Sequence, residues 1–472
     1  MTSVSGPPHT LPARTPVKLR RVLGVASLTL FGLAYMVPLT IFSSLGPVAQ
    51  VTDNGVPGAY VITLIVMLFT ALSYGKMSQR YPVAGSAYSY SQKAFGGSAG
   101  FATGWTLMLD YLLLPMLNYL LIGLYMATYI PAVPFWAWVL GGIGLVTILN
   151  VIGIKTVTTY NGIVVVLQVI FAIAFIVMTV TSVSGNTIPD PTVAFTGEDG
   201  PGALFTGAAI LCLSFLGFDA VSTLSEEAKH PKRDIPRAIL LVTFLGGATF
   251  IVLSFFSYLL IPDWHSFTNI DTASAEVIAA AGGVWLSNFF AAMMIAGATG
   301  SALASQASVS RILYTMGRNG VLPRRLFGVL NKRFQTPVRA TLVVSAAGLL
   351  ALVLPLEFVI SIISFGALAA FTMVNLSVIK KYYFEDRRRS ASNTVSYLVL
   401  PGIGFLSTIW LWTSLPTNAL MIGGIWLVIG AIYLAFLTKG FRVSPPSLDE
   451  GTTEQLKTES IDAVEADERE RA

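Results

Sequence analysis

Helix-length apolar runs recur along the whole chain, at about residues 23–50, 58–75, 100–127, 134–153, 160–182, 203–225, 238–261, 283–314, 338–354, 357–379, 396–415 and 418–438. Lipid offers backbone groups no outside hydrogen-bond partner, so a segment crossing the roughly 30 Å hydrocarbon layer must close its own bonds as a helix of about 20 residues. The runs therefore predict an all-α membrane protein with 12 transmembrane helices. Only 11% of the 472 residues are charged, against about 25% in soluble domains, and the mean hydropathy is +0.71. The first run lacks an Ala-x-Ala cleavage site and reads as a retained span.

The basic residues sort by side. With the N-terminus inside, Lys76, Arg80, Lys93, Lys155, the bases from Lys229 to Arg237, those from Arg318 to Arg339, and the run Lys380 to Arg389 all fall inside. The outward loops carry Asp53, Asp190, Glu198, Asp199, Asp263, Asp271 and Glu276 but no lysine or arginine. Bases flanking spans resist translocation, so both termini are expected in the cytoplasm, with the chain multi-pass in the cell membrane. The net charge of +5 thus reflects topology, not a nucleic-acid partner.

Three histidines outside the spans offer no metal cluster. Cys212, the one cysteine, has no intrachain partner for a disulfide. No nucleophile, base and orienting acid stand at catalytic spacing, so an enzyme is not expected. The expected organisation is a cytoplasmic segment 1–22, a membrane domain 23–440 and an acidic, disordered cytoplasmic tail 441–472.

Two spans carry helix breakers. The first holds Tyr35-Met36-Val37-Pro38, where proline removes a donor and clashes with the preceding turn. The sixth holds Ser214-Phe215-Leu216-Gly217-Phe218-Asp219. They are corresponding members of two five-helix halves, and paired interruptions of that kind mark the binding site of inverted-repeat transporters. Asp110 in span three and Asp219 in span six are the acids set deepest. An aspartate near mid-bilayer costs about 3 kcal/mol on insertion scales and so should face a cavity, a partner or a ligand. No lysine or arginine is expected deep enough to neutralise them, which leaves a cationic ligand or a proton. The neighbouring rings Tyr35, Tyr111, Phe215 and Phe218 suit an organic cation, because aromatic faces attract positive charge. Glu226 and Glu227, at the inner end of span six, are expected to form a gating ion pair with the bases of the following Lys229–Arg237 stretch.

Phe215-Leu216-Gly217-Phe218-Asp219, Ser225-Glu226-Glu227 and Pro231-Lys232-Arg233-Asp234-Ile235-Pro236-Arg237-Ala238 resemble the sixth-helix signature of the amino acid, polyamine and organocation transporters. So do Tyr81-Pro82-Val83-Ala84-Gly85-Ser86-Ala87-Tyr88 and Ser364-Phe365-Gly366-Ala367-Leu368. The resemblance implies a leucine-transporter-type 5+5 inverted repeat (about 23–182 and 203–379) plus two helices (396–438), a central site, and alternating access. Leu109-Asp110-Tyr111-Leu112-Leu113-Leu114-Pro115-Met116 and Ser301 to Arg311 look like the bacterial putrescine importers, which implies uptake of a diamine or related alkylamine by proton symport.

Amino acid carriers of this group receive the substrate carboxylate on a Gly-rich first break. Here that stretch is Val37-Pro38-Leu39-Thr40, whose proline and bulky side chains favour a substrate bearing amines alone. Gln168 stands where some proton-coupled relatives carry a lysine. Coupling would then use Asp110, Asp219 or Glu226, or else sodium at hydroxyls of spans one and eight such as Ser305. The substrate set expected is Tyr35, Val37, Asp110, Tyr111, Phe215, Gly217, Phe218 and Asp219. The alternative is an amino acid permease of the same superfamily.

Overall fold

The computed structural model describes residues 21–439 except 185–187, 199, 269, 271, 272, 332, 355, 414 and 416. The expected N-terminal segment as far as residue 20, the acidic tail, Asp199 and Asp271 lie outside the described residues. Among the described residues, eleven helices are long and apolar enough to cross a membrane. The expected ninth span is present as the shorter apolar helix Val338–Leu352.

Span one comprises α1 (Val25–Met36), a 3-10 turn (Pro38–Thr40) and α2 (Ile41–Thr52). Then follow α3 (Val56–Arg80), α4 (Ser86–Phe95), α5 (Gly97–Tyr129), α6 (Phe135–Ile152), α7 (Ile154–Val183) and α8 (Pro191–Thr196). Span six begins with α9 (Pro201–Leu211) and continues as two 3-10 turns, Cys212–Phe215 and Asp219–Leu224. After it come α10 (Pro231–Leu260), α11 (Ala273–Arg318), α12 (Arg324–Phe327), α13 (Val338–Gly348) and α14 (Leu356–Val378). The last elements are α15 (Ala391–Thr394), α16 (Leu400–Thr413) and α17 (Thr417–Leu437).

The expected eighth span, 283–314, is extended into α11, whose helical path kinks at Gly282 and Gly283 (φ 59°). The extension begins at Ala273 because residues 273–281 are themselves good helix formers, rich in alanine. The short α4 was not expected, since its ten residues are too few and too polar to read as a span.

Burial separates inner from outer helices. The apolar window of the sixth span, Pro201–Leu224, is 78% buried, whereas that of α17 is 17% buried. Span six is thus enclosed by protein, and α17 turns most of its surface to lipid. Around that centre α10 packs along α3, α14 along α5, and α11 against both α5 and α7.

Candidate functional site

Span one stops being helical at Val37, which takes φ 53° and ψ 91°. The residue before a proline is pushed away from the α region, so the break falls one position ahead of Pro38. Thr40 takes up the freed carbonyls: its hydroxyl donates to Met36 O (3.1 Å) and Val37 O (2.7 Å). In span six Gly217 adopts φ 129°, a conformation side chains rarely tolerate. A Cβ there would stand 2.8 Å from Tyr35 Cδ1 and 2.9 Å from Met36 N. The two interruptions therefore meet at bare backbone, and that contact sets the position of Tyr35.

Asp219 follows the second interruption and is 1% exposed. The Tyr111 hydroxyl donates to its Oδ2, and Gly217 N–H donates to its Oδ1 at 3.2 Å. Asp110 is equally buried, within electrostatic reach of Asp219. Its Oδ1 has no hydrogen-bond partner among the described residues. The α14 backbone closes over it, since a Cβ on Gly366 would lie 2.6 Å from Asp110 N.

The rings divide into two groups. Tyr35 and Tyr111 approach with centroids 6.2 Å apart. Phe218 stacks on Phe371 at 5.3 Å and meets Tyr74 edge-on, while Phe215 packs edge-on against Phe250. Both phenylalanines are fully buried.

A cavity of about 470 Å³ begins at these breaks. Tyr35, Val37 and Thr40 of span one, Asn118 and Tyr125 of α5, Ser214 and Leu216 of span six, and Met294 and Ser301 of α11 are among its walls. The walls reach Ser44, Tyr125 and Ser274, toward the C-terminal ends of α2 and α5 and the start of α11. Among the described residues, no aspartate, glutamate, lysine, arginine or histidine lines it.

Of the expected substrate residues, Tyr35 and Val37 line the cavity. Asp110, Tyr111, Phe215, Gly217, Phe218 and Asp219 are not among its walls; they form the closed layer behind Tyr35 and Leu216. The sequence did not single out Asn118. Its Nδ2 donates to Ser301 Oγ at 3.1 Å, and Ser301 Oγ donates to Tyr35 O at 2.9 Å, tying the end of α1 to α5 and α11. An asparagine facing an apolar bundle was the available signal.

Gln168 is buried behind Val37 without a hydrogen-bond partner among the described residues: a Cβ on Gly297 would meet Gln168 Nε2 at 2.4 Å and Val37 Cγ1 at 2.9 Å. Ser305 Oγ donates to Ser301 O (2.7 Å) within its own helix.

The opposite end is shut. Glu227 accepts from Arg311 Nε (2.7 Å) and Nη2 (3.1 Å), and both side chains are almost fully buried. Glu226 makes a similar fork with Arg318, at 2.8 and 3.1 Å. Leu23 bridges Ala228, and Lys229 N donates to Leu23 O at 2.8 Å. The expectation that the bases between Lys229 and Arg237 would pair these acids is corrected: the partners come from α11, which packs across the end of span six. So is the expectation of no deep base, because Arg311 is 3% exposed. Folding α11 against span six brings it inside, where Glu227 neutralises it.

The sequence matches the family model for amino acid permeases over residues 27–441. The low-affinity putrescine importer PlaP of Escherichia coli (strain K12) is 39% identical over 444 residues, spanning 93% of this chain and 98% of that protein. The branched-chain amino acid permease BcaP of Lactococcus lactis subsp. cremoris is 30% identical over 445 residues, spanning 88% and 94%. The methylthioribose transporter of Bacillus subtilis is 28% identical over 456 residues, spanning 90% and 95%. The chain belongs to the amino acid permease family.

Proposed function

We propose that this permease imports a small organic amine, putrescine or a related polyamine or alkylamine, by proton-coupled symport with alternating access. It does so through 12 spans arranged as a 5+5 inverted repeat plus two helices, broken in spans one and six, with both termini in the cytoplasm. The observation that carries the reading is the buried Asp110 and Asp219, which share one layer and have no ion-pair partner among the described residues. Two carboxylates buried in one layer, with Asp110 Oδ1 lacking a donor among the described residues, favour the arrival of positive charge, and a diamine or a proton brings it. The importer of the E. coli relative points the same way.

On this reading the neutral cavity is the outward vestibule and the Glu226 and Glu227 pairs close the cytoplasmic end. Tyr35 and Val37 meet the amine first. Movement of Tyr35 and the span-six break then admits it to Asp219, Asp110 and Tyr111, while Phe215, Gly217 and Phe218 hold the break. Gln168 and Ser305, behind span one and on α11, belong to the surroundings in which coupling is sensed.

Asp219→Asn, at equal membrane abundance, should abolish uptake of labelled putrescine. Wild-type uptake by that variant would remove Asp219 from the mechanism. A second reading, an amino acid carrier, is favoured by the uncharged, largely apolar vestibule and by the branched-chain permease relative. Competition decides between them: excess leucine or valine displaces label in the second case, and simple diamines displace it in the first.

A further inference from the structure

At the end of the bundle that carries the Glu226 and Glu227 pairs, α14 runs into a π-helical turn, Ile379–Glu385, and a second such turn, Val395–Val399, leads toward α16. π-helical turns are rare and concentrate at functional sites. Between them the chain passes through Arg387 at φ 53°, a position of backbone strain for a residue with a side chain.

Tyr382 and Tyr397, one from each turn, stack with centroids 4.6 Å apart and planes 4° from parallel. Three cations lie over this pair: Arg80 over Tyr382 (5.1 Å), Lys76 over Tyr397 (4.9 Å) and Arg388 over both (5.4 and 5.9 Å). Lys76 also donates to Ser396 O, and Arg80 pairs with Asp386. Lys380 sits over the Phe95 ring at 4.7 Å.

Counting Lys76, Arg80, Lys380, Lys381 and Arg387 to Arg389 against Glu385 and Asp386, seven bases meet two acids. The surplus is not neutralised within the cluster. Arg387, Arg388 and Arg389 are exposed; Arg388 Nε faces Asp386 Oδ2 at 3.8 Å and Arg389 Nε donates to Tyr383 O at 3.5 Å, and each guanidinium carries further N–H donors in its plane. Beside them Phe384, at the end of the apolar span Ile362–Glu385, is 57% exposed, and Phe95, at the end of the short α4, is 37% exposed. Anion-binding donors next to exposed aromatic rings at a bilayer rim match one chemistry, a phosphodiester carried on acyl chains.

We propose that this platform binds the headgroup of an anionic phospholipid. The phosphate lies on the edges of Arg387, Arg388 and Arg389, and the acyl chains run beside Phe384 and Phe95. Arg388 lies over the same two rings as Lys76 and Arg80 of α3, so a headgroup held by Arg388 steadies the junction between α3 and the α14–α16 connection. The site is independent of which solute the permease carries.

The test uses the full chain purified in neutral detergent, with thermal stability read while phosphatidylglycerol is titrated in. Phosphatidylglycerol should raise the midpoint temperature saturably, and neither phosphatidylcholine nor inorganic phosphate should reproduce the shift. Basic groups near a headgroup contribute about five-fold each to affinity. The triple change Arg387→Gln, Arg388→Gln, Arg389→Gln should therefore weaken half-saturation at least ten-fold. The same three changed to lysine should recover part of it, which separates lost binding from lost folding. Arg324→Gln with Arg325→Gln, exposed at the same end, should leave it unchanged. An equal response to phosphatidylcholine, full reproduction by inorganic phosphate, or equal loss in the Arg324 and Arg325 control would overturn the proposal. So would a phosphatidylglycerol response seen only after residues 441–472 are deleted, because the acidic tail would then be the occupant.

Discussion

Replacing Arg311 by glutamine tests whether the buried Glu227 pair holds its end of the bundle shut. The two side chains are 4% and 2% exposed, and the arginine donates to both carboxylate oxygens and to Ala307 O at 2.6 Å. Removing one partner of such a pair leaves an uncompensated buried charge and costs about 3–5 kcal/mol. If about 3 kcal/mol of that falls on the closed conformation alone, the open fraction rises about 150-fold.

The readout is a cysteine at Ser222, which is fully buried beneath the pairs and bonded to Ser86 Oγ at 2.8 Å, in a Cys212→Ser background. Its labelling by a membrane-impermeant thiol reagent applied from that end should accelerate by about two orders of magnitude in Arg311→Gln. Burial raises the Glu227 carboxyl above its ordinary value, even though the Arg311 charge pulls it down. The closed end therefore holds a proton to higher pH than an open, hydrated one would. The carboxyl's contribution to closure is full at acid pH and fades as pH rises through the raised value. Without Arg311 the value climbs further, so acidification from about pH 7 to 5 should slow labelling of Arg311→Gln back toward the parent. Glu227→Gln combined with Arg311→Gln should also restore protection, since two neutral amides leave no buried charge. Labelling within three-fold of the parent at pH 7, with unchanged thermal stability, would refute the latch.

Gly217→Ala should abolish uptake and lower the thermal midpoint, because the added carbon meets Tyr35 Cδ1 and Met36 N inside 3 Å at a positive φ; a stable, active variant would show that the breaks do not touch. Gln306 Nε2 donates to Tyr119 OH (3.2 Å) and Ser345 Oγ (2.9 Å), and Gln306 Oε1 accepts from Asn150 Nδ2 (2.8 Å). At about 0.6 kcal/mol for each interhelical bond in a membrane, Gln306→Leu should lose about 2 kcal/mol, read as a lower unfolding midpoint, and an unchanged midpoint would show that the network adds nothing.

The spans were legible because lipid makes apolar length a physical requirement, and Gly217 and Val37-Pro38 announced their own interruptions through backbone chemistry. Partners far along the chain were not. Arg311 and Arg318 lie 84 and 92 positions from the glutamates they hold, whereas the bases nearest in sequence start the next helix and face elsewhere. Phe215 and Phe218 carried the right chemistry for a cation, yet Phe250, Phe371 and Tyr74 occupy their faces, and aromatic composition alone does not say which ring a ring will meet. The neutrality of the cavity walls could not be read either, because those walls are assembled from five separate helical segments.

The two buried aspartates do not bear equally on an amine substrate. Each costs about 3 kcal/mol to hold in the membrane, and a hydrogen bond to a charged group returns about 1.5–3 kcal/mol. Asp219 has two donors, Tyr111 O–H and Gly217 N–H, so its burial is offset within the fold. Asp110 Oδ1 receives no donor from the described residues, although a helix position on α5 could have been filled by leucine at no such cost. The fold explains Asp219 with or without a ligand. A proton or a cation supplied to Asp110 would offset that burial, and the case for an amine rests on Asp110 more heavily than on Asp219, whose donors lie within the fold.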